Sequence, residues 1–135
     1  MRILALVLLS AALRAAEVVP DWVIRGIAMV ETRSTWRDVG DVTYRDRRDG
    51  ASGEAGFMQL APSALATLRK TRLAKRCRTD VVLCESIARE YLTWLRAMAG
   101  SWEETVTMYN SGPIGSITAG RDYLHRVVAA GKRKE

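Results

Sequence analysis

The chain has 135 residues, and this length together with its composition limits it to one packed domain. Hydrophobic residues make up 48% and charged residues 27%, with 3 Pro and 10 Gly, a balance that excludes intrinsic disorder and collagen-like or repetitive sequence. The formal net charge of +6 favours an acidic partner, so nucleic acid, anionic lipid and an anionic cell-wall polymer are the candidate partner classes.

The amino terminus predicts export. Arg2 precedes an apolar run from Ile3 to Ala12, and small residues follow as far as Ala16, which is the layout of a secretory signal. The run is about half as long as a membrane-spanning helix, so a removable signal over residues 1–16 is favoured over a short membrane anchor. Its removal takes away two arginines and no acid and leaves a net charge of +4. The mature chain therefore stays basic.

The mature part predicts a mainly α-helical domain over residues 17–131, followed by a basic tail over residues 132–135. Between the helices, residues 34–56 are polar and carry several glycines, which predicts either a loop or a short β-hairpin around Val42 to Tyr44. The predicted helices run from Pro20 to about Arg33, from Pro62 or Ser63 to about Lys75, from about Val81 to Met98, from Ser101 to about Tyr109, and from Arg121 to Ala130.

Two of these helices carry specific signals. In the third, Ile87, Tyr91, Trp94, Leu95 and Met98 form an apolar stripe. The fourth starts with a capping box, in which the serine of Ser101-Trp102-Glu103-Glu104 accepts from an early backbone N–H and the last glutamate reaches back.

The two cysteines, Cys77 and Cys84, are compatible with one disulfide or with two separate buried thiols. On one straight helix, their seven-residue offset would rise about 10 Å, beyond the roughly 7 Å limit for a bridge, so a bond requires a loop between them. The two cysteines and His125 supply too few ligands for a structural metal site, and we expect neither a metal nor a cofactor.

Glu31 is the charged residue that breaks the helix pattern. It continues the stripe formed by Pro20, Ile24 and Ile27, so its carboxylate extends an apolar face. Burial and a position near a helix carboxyl end both raise the pKa of a carboxyl group toward the range of a general acid. The alternative is a glutamate paired with Arg33 or Arg37, or one exposed at the edge of the fold.

Two further segments suggest a ligand groove. Gly53-Glu54-Ala55-Gly56-Phe57-Met58-Gln59-Leu60 places a polar glutamine between bulky apolar residues next to glycines, which suggests a shaped groove wall. Met108-Tyr109-Asn110-Ser111-Gly112-Pro113 ends a helix with two polar side chains. Read separately, the first segment is at least as compatible with an ordinary turn, and the second is better explained as an ordinary helix end.

In combination, the segments resemble the lytic transglycosylase (SLT) domain of the lysozyme-like superfamily. That family usually reads E-S, G-x-x-G-L-M-Q, A-Y-N-A-G-P and R-x-Y-V in this order, and this chain has E-T, G-E-A-G-F-M-Q, M-Y-N-S-G-P and R-D-Y-L. The resemblance spans residues 20–130. It implies a single goose-type or SLT-like helical domain.

The resemblance also implies a function and a set of site residues. Glu31 matches the family's single catalytic acid/base, which cleaves the bond between N-acetylmuramic acid and N-acetylglucosamine in peptidoglycan and leaves a 1,6-anhydro end. The expected protein is a monomeric, exported enzyme of the periplasm or cell wall, whose partners are glycan strands and, in one setting, a wall-spanning secretion or phage assembly. The matching substrate-binding positions are Thr32, Met58, Gln59, Tyr109, Asn110 and Tyr123.

Departures from the family pattern define the alternatives. Gly50 stands where the family often has a serine, and Ala119 where many members have a glutamate, which favours a catalytically weak glycan-binding domain. The loop aspartates Asp38, Asp41, Asp46 and Asp49 instead favour hydrolysis, because the related goose-type lysozymes use aspartates to activate water. A basic module that binds nucleic acid is supported by charge alone and opposed by the export signal, so we expect no nucleic-acid partner.

Overall fold

The computed structural model describes residues 17–32, 50, 52–113 and 117–132, with the side chains of residues 117–119 excepted. The predicted signal over residues 1–16 and residues 133–135 of the tail lie outside the described residues. So do residues 33–49, which hold the alternative partners Arg33 and Arg37, the four aspartates and the hairpin candidate.

The described ranges are mainly α-helical, as predicted. Six α-helices and one 3₁₀ turn follow one another in these ranges, and β-structure there is limited to one isolated bridge between Ala55 and Leu60. Within the same ranges, no helix combines the length and apolarity needed to cross a membrane. The elements are α1 Asp21–Thr32, α2 Pro62–Thr67, the 3₁₀ turn Thr71–Leu73, α3 Ala74–Cys77, α4 Val81–Arg96, α5 Trp102–Ser111 and α6 Ile117–Gly131.

The first and last helices pack closely along their length. A Cβ built on Gly26 of α1 would collide with the carbonyl oxygen of Val127 in α6, and one built on Gly131 would collide with the carbonyl oxygen of Trp22. The two backbones therefore approach at a distance that only glycine allows. The face of α1 turned inward consists of the buried residues Val23, Ile24, Ile27 and Ala28.

The prediction of one continuous helix from residue 62 to residue 75 is wrong. After α2, Arg69 adopts a left-handed conformation (φ 56°), and the Lys70 N–H donates to the Leu65 carbonyl at 2.7 Å while the Arg69 N–H donates to the Ala66 carbonyl at 3.0 Å. These two bonds form a Schellman motif, which satisfies the last carbonyls of the helix and stops it. The chain then turns through the short 3₁₀ and α3 segments to bury Cys77.

Helix α4 lies where the sequence predicts it, but its apolar stripe is narrower. Asp80 caps the helix by accepting from the Leu83 N–H at 2.9 Å. Trp94 and Met98 are 40% and 50% exposed, which corrects their assignment to the stripe. Met98 lies beyond the last helical turn, and Trp94 stacks on the ring of Tyr91 from outside.

The predicted capping box of α5 forms, with one difference. The Ser101 hydroxyl accepts from the Glu104 N–H at 3.1 Å, as expected. The Glu104 carboxylate accepts from the Gly100 N–H at 2.7 Å, one residue before the capping serine. Helix α5 continues two residues past the predicted end, so Asn110 is helical.

Candidate active site

Glu31 lies in the last turn of α1, next to a tyrosine of α6. The Tyr123 hydroxyl donates a hydrogen bond of 2.9 Å to Oε1 of Glu31. Tyr123 is 2% exposed, whereas Glu31 is only half-buried. Because the glycine contacts hold α1 and α6 at backbone distance, the pair forms between residues far apart in sequence.

A tight turn over residues 55–60 presents the predicted glutamine. Ala55 and Leu60 exchange backbone hydrogen bonds of 2.9 Å, and Gln59 between them has a positive φ of 46°, which is strained for a residue other than glycine. The Gln59 Nε2 donates to the Gly56 carbonyl at 2.8 Å, so the side chain is fixed by its own turn. The turn holds Gln59 buried at the edge of the core, 9% exposed.

The two cysteines lie directly beneath this turn. Both are buried free thiols, on α3 and at the start of α4, with a short turn between them. A Cβ on Gly56 (φ 70°) would meet the Cys77 carbonyl oxygen at 2.5 Å and the Cys84 Sγ at 2.6 Å. The hydrogen bond with the Cys77 thiol, followed by burial, raises the pKa of Cys84. The turn therefore packs directly against the protonated thiol of Cys84, and there is no room for a side chain at position 56.

Tyr109 of α5 ties the turn to the helical part of the domain. Its hydroxyl donates to the Met58 carbonyl at 2.6 Å, and its ring meets that of Tyr91 at 5.9 Å between centroids. Burial raises the pKa of Tyr109, and burial followed by the charge of Glu31 raises the pKa of Tyr123. Both phenols are thus neutral hydrogen-bond donors at physiological pH.

These elements enclose an open cleft of about 290 Å³. Glu31, Tyr109 and Asn110 line it from α1 and α5. It is also lined by Gly50, Glu54, Gln59 and Ala61. Two carboxylates, two amide groups and a phenol ring share one concave surface, which is the donor and acceptor set that a sugar ligand requires.

The predicted site residues divide into two groups. Four of them line the cleft: Glu31, Gln59, Tyr109 and Asn110. Tyr123 does not line it but donates a hydrogen bond to Glu31, which does. Thr32 and Met58 are not among the lining residues. The Thr32 hydroxyl donates to the Ala28 carbonyl of its own helix at 2.7 Å, and the Met58 side chain is fully buried in the core.

Sequence reasoning missed Glu54 and Ala61 as lining residues and treated Gly50 only as a departure. Glu54 is a charged residue between Gly53 and Gly56, and its position in a glycine-rich turn was the sequence signal that could have marked it as a cleft residue. The direction of its side chain depends on the space left by Gly50, four residues earlier in the same loop, and the glycine pattern alone does not give that direction.

A small helical domain whose first helix ends in a carboxylate at the wall of an open cleft has the arrangement of the lysozyme-like class. The chain belongs to the transglycosylase SLT domain family, whose model matches residues 11–126. This family cleaves glycosidic bonds of peptidoglycan, in the periplasm or cell wall. No curated protein and no solved structure matches the chain significantly.

Proposed function

We propose that the protein is a peptidoglycan lytic transglycosylase in which Glu31 is the single acid/base. The carboxyl of Glu31 donates its proton to the glycosidic oxygen between N-acetylmuramic acid and N-acetylglucosamine as the bond from that oxygen to the anomeric carbon breaks. The resulting carboxylate then accepts the proton of the muramyl C6 hydroxyl, whose oxygen bonds to the same anomeric carbon. The products are a free 4-hydroxyl and a 1,6-anhydro end, and Glu31 regains its proton.

The observation that carries this proposal is the Glu31–Tyr123 pair on the cleft wall. A general acid must reach substrate and be held in one orientation. Glu31 lines the open cleft, and the Tyr123 hydroxyl donates to its Oε1 at 2.9 Å, so the carboxyl group is both accessible from the cleft and oriented by a buried donor. The attacking hydroxyl belongs to the substrate, so this chemistry needs no second carboxylate, unlike most glycosidases.

Analysis of the products released from purified cell walls tests the proposal. Wild-type protein is expected to release muropeptides with anhydro-muramyl ends, identified by mass spectrometry. Glu31→Gln keeps the side-chain shape and an oxygen for Tyr123 but removes the titratable proton, so release should fall by roughly 10²- to 10⁴-fold.

A matched control variant tests whether the loss of activity comes from removing the acid/base group or from removing a negative charge anywhere in the protein. Glu103→Gln makes the same change on the exposed first turn of α5, away from the cleft, and is expected to leave activity unchanged. Reducing ends in place of anhydro ends would indicate hydrolysis. Full activity of Glu31→Gln, with its fold intact by circular dichroism, would refute the assignment of Glu31.

We further propose that residues 1–16 are a removable export signal and that residues 17–131 form the mature domain. The apolar run after Arg2 supports this division. The mass of protein recovered from the periplasm or medium tests it, since a chain that keeps residue 1 would indicate an uncleaved segment.

A further inference from the structure

Glu54 gives the cleft a second carboxylate that the proposed chemistry does not use. Its side chain is half-buried and lines the same cleft as Glu31. Its Oε2 accepts from the Ser52 N–H at 3.0 Å, and its backbone carbonyl accepts from the Gly50 N–H at 2.7 Å. The position of this carboxylate is therefore fixed by its own loop.

Gly50 provides the space that brings Glu54 into the cleft. A Cβ on residue 50 would collide with Oε2 of Glu54 and with Oε1 of Gln59. Two acceptor oxygens from different side chains thus converge on the volume that a side chain at position 50 would fill. The Nε2 of Gln59 faces the Gly56 carbonyl, which is why its Oε1 faces this volume.

Two convergent acceptors are suited to a ligand that donates hydrogen bonds. A carboxylate has about four acceptor positions, and the Ser52 N–H takes one of those of Glu54. Hydrogen bonds to a charged acceptor are about twice as strong as those between neutral groups. The amino sugars of peptidoglycan carry hydroxyl and acetamido N–H donors on every ring, and their glycosidic and ring oxygens do not match this pair.

We propose that Glu54, together with the Gln59 amide oxygen, binds a hydroxyl or N–H donor of the sugar that occupies the cleft, so that Glu54 is a substrate-binding residue alongside Glu31. This inference rests on the proposed function, because it takes the glycan as the ligand of the cleft. It assigns Glu54 to holding the substrate and leaves proton transfer to Glu31.

Steady-state kinetics on soluble, uncrosslinked glycan strands test this role. Glu54→Gln removes the charge and is expected to lower kcat/KM about tenfold, equivalent to about 1.4 kcal/mol, mainly through KM. Glu54→Ala should have a larger effect of the same kind. Glu103→Gln is the control for loss of an acid elsewhere, and thermal melting of each variant checks that the loop remains folded.

Binding measured without turnover separates this inference from the proposed function. In a Glu31→Gln background, calorimetry with the same strands should show about tenfold weaker binding when Glu54→Gln is added. If the wild type binds strands without cleaving them and Glu54→Gln weakens that binding, the proposed function fails and the inference stands. If cleavage and binding are both unchanged in Glu54→Gln, the inference fails and the proposed function stands.

Two further outcomes bear on the role of Glu54. A loss confined to kcat, or reducing ends that disappear in Glu54→Gln, would overturn the binding role in favour of activating water.

A double-mutant experiment tests the contact between positions 50 and 54. Gly50→Ser should lower activity in the wild type, because the new side chain displaces the Glu54 carboxylate, and it should have a smaller effect in Glu54→Ala. Equal losses of activity in the two backgrounds would contradict the predicted collision between a side chain at position 50 and the Glu54 carboxylate.

Discussion

The hydroxyl of Tyr123 donates to Oε1 of Glu31 at 2.9 Å across 92 residues of sequence. This bond joins the last turn of the first helix to the buried face of the last helix. It holds the Glu31 carboxyl group at the cleft wall, and the reaction geometry that we propose depends on it.

Removing this hydroxyl tests its contribution to activity. Tyr123→Phe keeps the buried ring but deletes one hydrogen bond to a carboxylate, worth about 1.5–3 kcal/mol. We expect activity on cell walls to fall roughly 10- to 100-fold, with the cooperative melting transition retained. Activity equal to that of the wild type would show that Glu31 is oriented by other contacts.

The glycine contact between α1 and α6 is expected to be essential for stability. Gly26→Ala places a methyl group against the Val127 carbonyl, a backbone atom that cannot move aside. Although alanine gains about 1 kcal/mol in helix propensity, we expect a net loss of about 1–3 kcal/mol and a lower melting temperature. Gly100→Ala is the control, because a Cβ there meets only the flexible Glu104 carboxylate at 3.0 Å.

The turn that carries Gln59 allows strain and steric collision to be separated. Gly56 and Gly112 both have positive φ (70° and 78°), but a Cβ on Gly112 meets nothing within 4 Å. Gly112 also has a ψ of 167°, a region that is essentially restricted to glycine, so Gly112→Ala should cost only the conformational strain, about 1–3 kcal/mol. Gly56→Ala adds the collision with the carbonyl of Cys77 and the thiol of Cys84, so it should unfold at clearly lower denaturant concentration. Equal midpoints for the two variants would contradict the close seating of the turn.

The buried tyrosines predict loss of stability in alkali. The pKa of Tyr123 and of Tyr109 is raised in the folded protein, chiefly by burial. Above about pH 10, the unfolded chain releases these protons while the folded chain retains them, so the unfolded state binds fewer protons and stability falls as pH rises. Melting curves from pH 8 to about pH 11 should show this decline, with a shallower slope in Tyr123→Phe. An unchanged slope would indicate that Tyr123 titrates normally.

Local signals in the sequence were sufficient for much of the fold. The capping box at Ser101 and the apolar periodicity of α1 depend on neighbours within four residues, and both were predicted from the chain. The break at Arg69 was not, because a left-handed arginine has no sequence signature comparable to glycine. Trp94 was wrongly assigned to the buried stripe of its helix, because helical spacing shows which face is apolar but not how much of that face is buried.

The candidate site likewise contains one residue that a local sequence pattern identified and others that no such pattern identified. Glu31 was identified because a carboxylate on an apolar face violates a local pattern, and its place on the cleft wall agrees with that hypothesis. Its catalytic role remains a prediction. Gly50 and Glu54 lie four residues apart in one loop, where the absence of a side chain at position 50 leaves room for the Glu54 carboxylate, and the backbone conformation of this loop does not follow from the sequence pattern.

The proposed acid lies on the first helix and its tyrosine partner on the last, so the cleft is complete only after α6 has docked. A nascent or partly translocated chain that ends before residue 117 has the carboxylate but lacks the hydroxyl that orients it. In the proposed mechanism, the order of synthesis therefore delays activity until the whole domain has been made and folded.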